Sequence, residues 1–154
     1  MKPELAKNNI LKESLKQVTI RQVTWQQAEN ELRAVRTSVF IEEQFVTPEF
    51  EWDEIDADAV HLLATYENQP IACLRIIHYE KIGRMAVIKP WRGNRLGAAL
   101  LLEAINICKM HGSNSIYLSA QTHAINFYLK AGFIQVSGEY IDVDIPHVDM
   151  WLDL

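Results

Sequence analysis

The chain has 154 residues, the length of one ordinary domain, and its 49% apolar and 23% charged content excludes a disordered, collagen-like or disulfide-stapled protein. A formal net charge of -5 excludes neutralising nucleic-acid phosphates as the main task, because that work demands a basic footprint. No run approaches the roughly 18 apolar residues of a membrane span, so the expectation is a cytoplasmic protein with neither nucleic acid nor membrane as partner.

Residues 1–17, MKPELAKNNILKESLKQ, carry little apolar periodicity and lack the continuous apolar core of a signal peptide. They read as an N-terminal extension to a single domain over residues 18–154. Val18 to Val23 alternates apolar and polar side chains, as a half-buried strand does. Thr24 and Gln27 have the spacing of a capping box and start a helix. Ala28, Leu32, Val35 and Val39 form its core stripe, Glu29, Arg33 and Arg36 lie off that stripe, and the pattern fades near Gln44. The carboxylate-rich segment from Phe45 to Ala59, interrupted by Pro48, reads as an exposed acidic loop or short helical turn.

His61 to Tyr66 and Ile71 to His78 form a hairpin about the turn-like ENQP. A third strand, Arg84 to Ile88, follows the break EKIG and is stopped by Pro90, which cannot donate to a sheet ladder. The helix from Leu96 to Met110 has polar residues only at Glu103, Asn106 and Lys109, so neighbours are expected to cover most of its circumference. Ile116 to Ser119 is a short strand, Thr122 an N-cap, and Gly132 the left-handed residue closing a second helix. Phe133 to Val136 and Val148 to Leu152 end the chain as strands. The order β-α-β-β-β-α-β-α-β-β, with a helical crossover between the strands near 85 and 117, predicts an α/β (α+β) fold. Its central sheet is mixed, mainly antiparallel, and flanked by helices. Cys73 and Cys108 lack metal-site spacing and read as buried reduced thiols, and no metal is expected.

Arg92, Gly93, Asn94, Arg95, Leu96 and Gly97 follow a strand and open a helix. The free N–H groups and positive dipole end of that helix suit a pyrophosphate. Alone, the stretch equally admits a plain turn with solvent-facing arginines. It lacks the lysine and hydroxyl of a P-loop and the glycine spacing of a dinucleotide fingerprint, which disfavours ATP and NAD.

Two longer segments, RMAVIKPWRGNRLGAALL and QTHAINFYLKAGF, resemble the acetyl-CoA signature of the GNAT superfamily of N-acetyltransferases. RTSVFIEEQFV, DEIDADAVHLL and EYIDVDIPHVDM are similar to its ElaA-like branch. The resemblance implies a GNAT-like sheet, acetyl-CoA as co-substrate without a metal, and direct acetyl transfer to a small-molecule or protein amine. It assigns Arg92, Gly93, Asn94, Arg95, Leu96, Gly97 and Ala98 to the CoA pyrophosphate. Met85, Ala86 and Val87 are assigned to pantetheine, with a backbone N–H polarising the thioester carbonyl. Gln121, Phe127 and Tyr128 fall on the cofactor side, and Tyr128 matches the tyrosine that protonates the departing thiolate. Arg95 stands where the family carries glycine, which implies a turn of negative φ or some strain.

The base that relieves an ammonium acceptor of its proton is less defined, with His147 and Glu43 as candidates. Arg36, Asp56 and His61 line the same acceptor cleft or form an ordinary hydrogen-bonded network. The carboxylates between Glu42 and Asp58 suit a cationic acceptor or a merely solvated face. A non-catalytic acyl-CoA-binding or protein-interaction module on the same fold is the rival reading, and a homodimer is left open.

Overall fold

The computed structural model describes residues 13–154. Residues 1–12 of the expected N-terminal extension lie outside the described part.

The described chain runs β1 (Thr19–Val23), α1 (Trp25–Arg36), α2 (Pro48–Glu51), β2 (Val60–Tyr66), β3 (Gln69–Ile77), β4 (Lys81–Val87), α3 (Leu96–Met110), β5 (Ser115–Gln121), α4 (Ile125–Lys130), β6 (Ile134–Gln135), β7 (Tyr140–Asp142) and β8 (Ile145–Asp153). The strands form one sheet in the order β1-β2-β3-β4-β5-β8-β6, with β7 on β8. Every pairing is antiparallel except that of β4 with β5. That parallel pair is joined through α3, as parallel strands require a crossover. The mixed, mainly antiparallel architecture is therefore the one expected.

Helices cover both faces. Leu100, Leu101, Ala104, Ile107 and Cys108 of α3 pack on one face of the sheet with Leu62, Leu74, Ile76 and Ile116. Trp25, Ala28, Leu32 and Val35 of α1 pack on the other with Leu63, Cys73 and Ala86. The Thr24 hydroxyl accepts from the Gln27 backbone and the Gln27 side chain accepts from the Thr24 backbone, so the capping box forms as its spacing dictates.

Several local expectations fail for physical reasons. The helix ends at Gln44 as expected, but it leaves α-geometry after Arg36 and continues as a π-helix over Thr37–Glu43. That wider turn is a feature frequent at functional sites, and it carries Phe40, Glu43 and Gln44 to the cleft described below. Thr122 caps nothing: a 3-10 turn over Thr122–Ala124 intervenes, and α4 starts at Ile125. The three-residue β7 was not foreseen. Leu102 and Met110 of α3 stay exposed, so its cover is less complete than its apolar sequence suggests. Glu51 and Asp56, placed by composition in an exposed acidic loop, are buried, and so is Arg36.

Candidate functional site

The parallel pair β4/β5 holds the site. Its register contains only Lys81↔Tyr117 and Ile82↔Leu118, after which the two strands part. An open cleft of ≈ 730 Å³ follows the split. On the β5 side, Ile116 lies before the paired residues and so does not border the split. Ser119 and Gln121 border the opening instead.

On the β4 wall, Ala72 pairs with Val87 and Cys73 with Ala86, but Arg75 pairs with Gly83. One residue of β3 thus faces two of β4, a bulge at which Arg84 has φ 49°. The Val87 carbonyl accepts from Arg92 Nε at 2.8 Å, so it faces away from β3. In an extended strand the N–H of the same residue points the same way, which turns the Val87 N–H toward the split.

At the mouth, Gly93 has φ 77° and Arg95 has φ 61° and ψ 16°. Arg95 thus adopts the left-handed conformation of the glycine it replaces, so of the two alternatives the strained turn, not the negative φ, is realised. That state costs a non-glycine residue about 1–2 kcal/mol. Alternating left-handed residues turn successive N–H groups into an anion-binding concavity. Ala99 N donates to Arg95 O, so the N–H groups of Leu96, Gly97 and Ala98 precede the first intrahelical bond and remain free for a ligand. The Asn94 amide instead bonds the Trp91 and Arg92 carbonyls and shapes the loop from outside the cleft.

Tyr128 closes the inner end. Its ring packs edge-on against Phe127 and Phe133 at centroid distances of 5.0 and 5.8 Å. Burial pushes its hydroxyl up to about 12, so it holds its proton at neutral pH. Phe127 and Met85 flank Gly97, where an added Cβ would meet them at 3.6 and 3.7 Å.

The acceptor candidates are placed unequally. His147 lines the cleft, and its Nδ1 lies 2.6 Å from the Ile145 carbonyl. A carbonyl only accepts, so Nδ1 carries a proton, and in the neutral ring the lone pair is therefore on Nε2. The Tyr140 ring stacks on His147 at 6.1 Å, and its hydroxyl donates to Asp149 at 2.6 Å and meets Ser119 Oγ. Glu43 also lines the cleft, but Arg92 grips it through two bonds of 2.7 and 2.8 Å. Those hydrogen bonds hold its carboxyl below the ordinary glutamate range. Beside it, Gln44 and Gln121 exchange reciprocal amide bonds of 2.8 and 3.2 Å, so Gln121, expected to meet the CoA arm, is engaged across the cleft.

Arg36, Asp56 and His61 do not line the cleft. Arg36 Nε donates to Glu51 and its Nη1 to Asp56, both at 2.7 Å, with the guanidinium 4.9 Å from the Trp52 ring centre. His61 Nε2 donates to the Asp56 carbonyl at 2.9 Å, and burial lowers its proton affinity. The network alternative is the one the fold realises. Burial pushes Asp56 up, but Arg36 and Arg75 outweigh it and hold the carboxyl below its usual range. Burial raises Glu51 against the pull of Arg84, Arg36 and Arg75. Sequence reasoning missed Arg75 and Arg84, although an arginine inside the apolar run IACLRII signals a buried partner. Burial lifts Cys73 to about 12 and Cys108 to about 11, which leaves neither thiol reactive.

A GNAT acetyltransferase domain matches residues 14–154. The chain belongs to the GNAT acetyltransferase family. It is 36% identical over 139 residues to YyaT of Bacillus subtilis, spanning 86% of this chain and 94% of that one. ElaA of Escherichia coli is 32% identical over 127 residues, covering 77% of this chain and 83% of its own. The ElaA crystal structure superposes with a TM-score of 0.79 at 29% identity over 87% of this chain and 98% of that one. An acyl-CoA N-acyltransferase from Pseudomonas aeruginosa superposes with a TM-score of 0.74 at 31% identity, covering 87% and 97%. These likenesses put the chain in the ElaA-like branch of the GNAT family, whose fold typically binds acetyl-CoA or another acyl-CoA.

Proposed function

We propose that this GNAT protein transfers the acetyl group of acetyl-CoA directly to an amine. The observation that carries this reading is the β4/β5 split, along which a free helix N-terminus, an outward Val87 N–H and a protonated Tyr128 follow one another. The Pseudomonas relative, an acyl-CoA N-acyltransferase, supports the same reaction class.

In this reading the N–H groups of residues 96–98 and the Arg92 guanidinium receive the pyrophosphate. The Val87 N–H receives the thioester oxygen as charge develops on it. His147 Nε2 accepts the proton that the amine gives up, directly or through water. The amine lone pair forms the C–N bond, the C–S bond breaks, and the electron pair leaves on sulfur. A thiol near 8.5 is more acidic than a tyrosine at about 12. Tyr128 therefore stabilises the leaving thiolate as a hydrogen-bond donor rather than by full transfer, and the thiolate takes its proton from solvent. Glu43 is the weaker base, because Arg92 holds it as an ion pair.

Thiol release from acetyl-CoA across an amine panel tests the proposal. Tyr128→Phe is expected to lower kcat roughly tenfold to hundredfold, the worth of a hydrogen bond to a charged atom, while CoA binding is retained. If acetyl-CoA binds, no amine accelerates thiol release and Tyr128→Phe changes nothing, the non-catalytic acyl-CoA-binding reading replaces this one.

A further inference from the structure

We propose that the acceptor end of the cleft is an anion subsite, in which Arg84, backed by Arg75, receives a carboxylate carried by the acceptor amine itself. The inference rests on the acetyl-transfer reading of the same cleft and adds the chemical class of the acceptor.

Arg75 and Gly83 are paired neighbours on β3 and β4, and Arg84 follows at the bulge. All three line the cleft. Arg75 is 5% exposed, and its Nη1 meets Asp53 at 2.8 Å and Asp56 at 3.0 Å. Its Nε is buried without a directed hydrogen bond among the described residues, and the Arg84 Nε is likewise buried, facing Glu51 Oε1 at 3.3 Å. Arg84 lies 3.3 Å from Glu51 without a properly directed bond, and its Nη2 makes only long bonds of 3.3 to 3.5 Å to the Phe50 and Glu51 carbonyls and to Asp53. Arg36, by contrast, bonds its carboxylates at 2.7 Å. Arg84 is held in place without being satisfied. Beside it, a Cβ added to Gly83 would meet nothing within 4 Å, so the space before these donors is open.

A guanidinium N–H without an acceptor is costly, and an anion satisfies it through a charge-assisted bond roughly twice as strong as one to a neutral oxygen. A carboxylate accepts guanidinium N–H groups, and Arg84 Nη1, which bonds no acceptor among the described residues, is the donor left for it. The local charge agrees. Glu51, Asp53 and Asp56 match Arg36, Arg75 and Arg84 one for one, Glu43 is paired with Arg92, and Lys81 adds a further cation to the cleft lining. Asp142 is the remaining carboxylate of the lining, and it is exposed. Of the acidic segment that composition offered to a cationic acceptor, Glu43, Glu51, Asp53 and Asp56 are thus paired before any ligand arrives, and Glu42, Glu49, Glu54 and Asp58 lie outside the cleft lining. Arg84 directly precedes Met85, on the strand assigned to pantetheine. Amine and carboxylate must therefore be separated by a short spacer, as in an amino acid, and Phe40, Val46 and Phe50 offer its side chain an apolar wall.

The test compares L-leucine with L-leucinamide and L-phenylalanine with L-phenylalaninamide as acceptors in the full-length protein, by thiol release with acetyl-CoA. Each amide keeps the shape and removes the charge. The acids are expected to be favoured about tenfold in kcat/KM, mainly through KM. Arg84→Gln is expected to bring the ratio to about one with CoA affinity unchanged. Equal or better use of the amides overturns the proposal, as does a ratio that survives Arg84→Gln. A second arm needs no turnover: calorimetry of N-acetyl-L-leucine and N-acetyl-L-leucinamide against the CoA-loaded wild-type protein. Preference for the acid supports the subsite even where no amine reacts, a result that would sink the acetyl-transfer reading alone. Absence of that preference overturns the subsite while leaving acetyl transfer untouched.

Discussion

Arg36 and Arg92 each meet a glutamate at 2.7 Å, yet the two ion pairs serve different ends. The Arg36 guanidinium is 1% exposed and Glu51 is 4% exposed, whereas Arg92 and Glu43 are each 39% exposed. The inner pair ties α1 to the acidic segment, and through Arg75 and Arg84 to β3 and β4, so it fixes the β4 wall of the cleft. The outer pair joins the end of the π-helix to the turn before α3, where water can compete for either partner. Burial makes the first a structural joint. Exposure makes the second an exchangeable contact.

The largest expected effect breaks the inner joint. Arg36→Met leaves Glu51 and Asp56 buried without their short bonds, and unfolding in urea should show a loss of about 3–5 kcal/mol. Adding Glu51→Gln should recover part of that loss, because one stranded charge disappears with it. A loss below about 1 kcal/mol for Arg36→Met would mean that the inner pair behaves like a surface pair, and the contrast with Arg92 would collapse.

An intermediate effect concerns exchange at the outer pair. If Arg92 must turn from Glu43 to the pyrophosphate, calorimetric CoA affinity should fall about tenfold in Arg92→Gln. Glu43→Gln, which frees the guanidinium, should tighten binding by a few-fold, on the order of one surface ion pair. Weaker CoA binding in Glu43→Gln would show that the carboxylate supports the site rather than competing for Arg92.

The same contrast explains what was legible before folding. The capping box at Thr24 and Gln27, the strand-turn-helix around Gly93 and the crossover through α3 are local patterns, and they appear as read. The helical pattern puts Arg36 only off the core stripe and leaves cleft and network both open, because its partners lie 15 and 20 residues further along the chain, beyond any helical period. Thr122 has the right side chain for a cap, but tertiary packing starts the helix three residues later. Arg95 carries no sign of its left-handed backbone in its side chain, since glycine is the residue that advertises that conformation. Tyr140 entered the site through β7, a strand too short to show an alternation. The backbone of the side proposed for CoA was therefore readable as a motif. The side proposed for the acceptor depends on pairings across the sheet that only the fold assembles.

The smallest expected effect is the stability that the outer pair contributes, and its pH dependence has a definite sign. Hydrogen bonds from Arg92 lower the Glu43 carboxyl in the folded protein. Its contribution is therefore complete above the unfolded glutamate value of about 4.3 and is lost as pH falls through the lowered folded value. Because both side chains are 39% exposed, solvent screening limits the contribution. Wild type should exceed Glu43→Gln by no more than about 0.5 kcal/mol at pH 7. Urea unfolding from pH 7 to pH 3 should show this difference constant down to roughly pH 5 and vanishing below it. Salt supplies the sharper half of the comparison. At ~1 M ionic strength, where screening acts over about 3 Å, the difference at pH 7 should disappear, while the loss caused by Arg36→Met should persist. A Glu43→Gln difference that survives high salt would place the outer pair with the inner one, as a joint rather than an exchangeable contact.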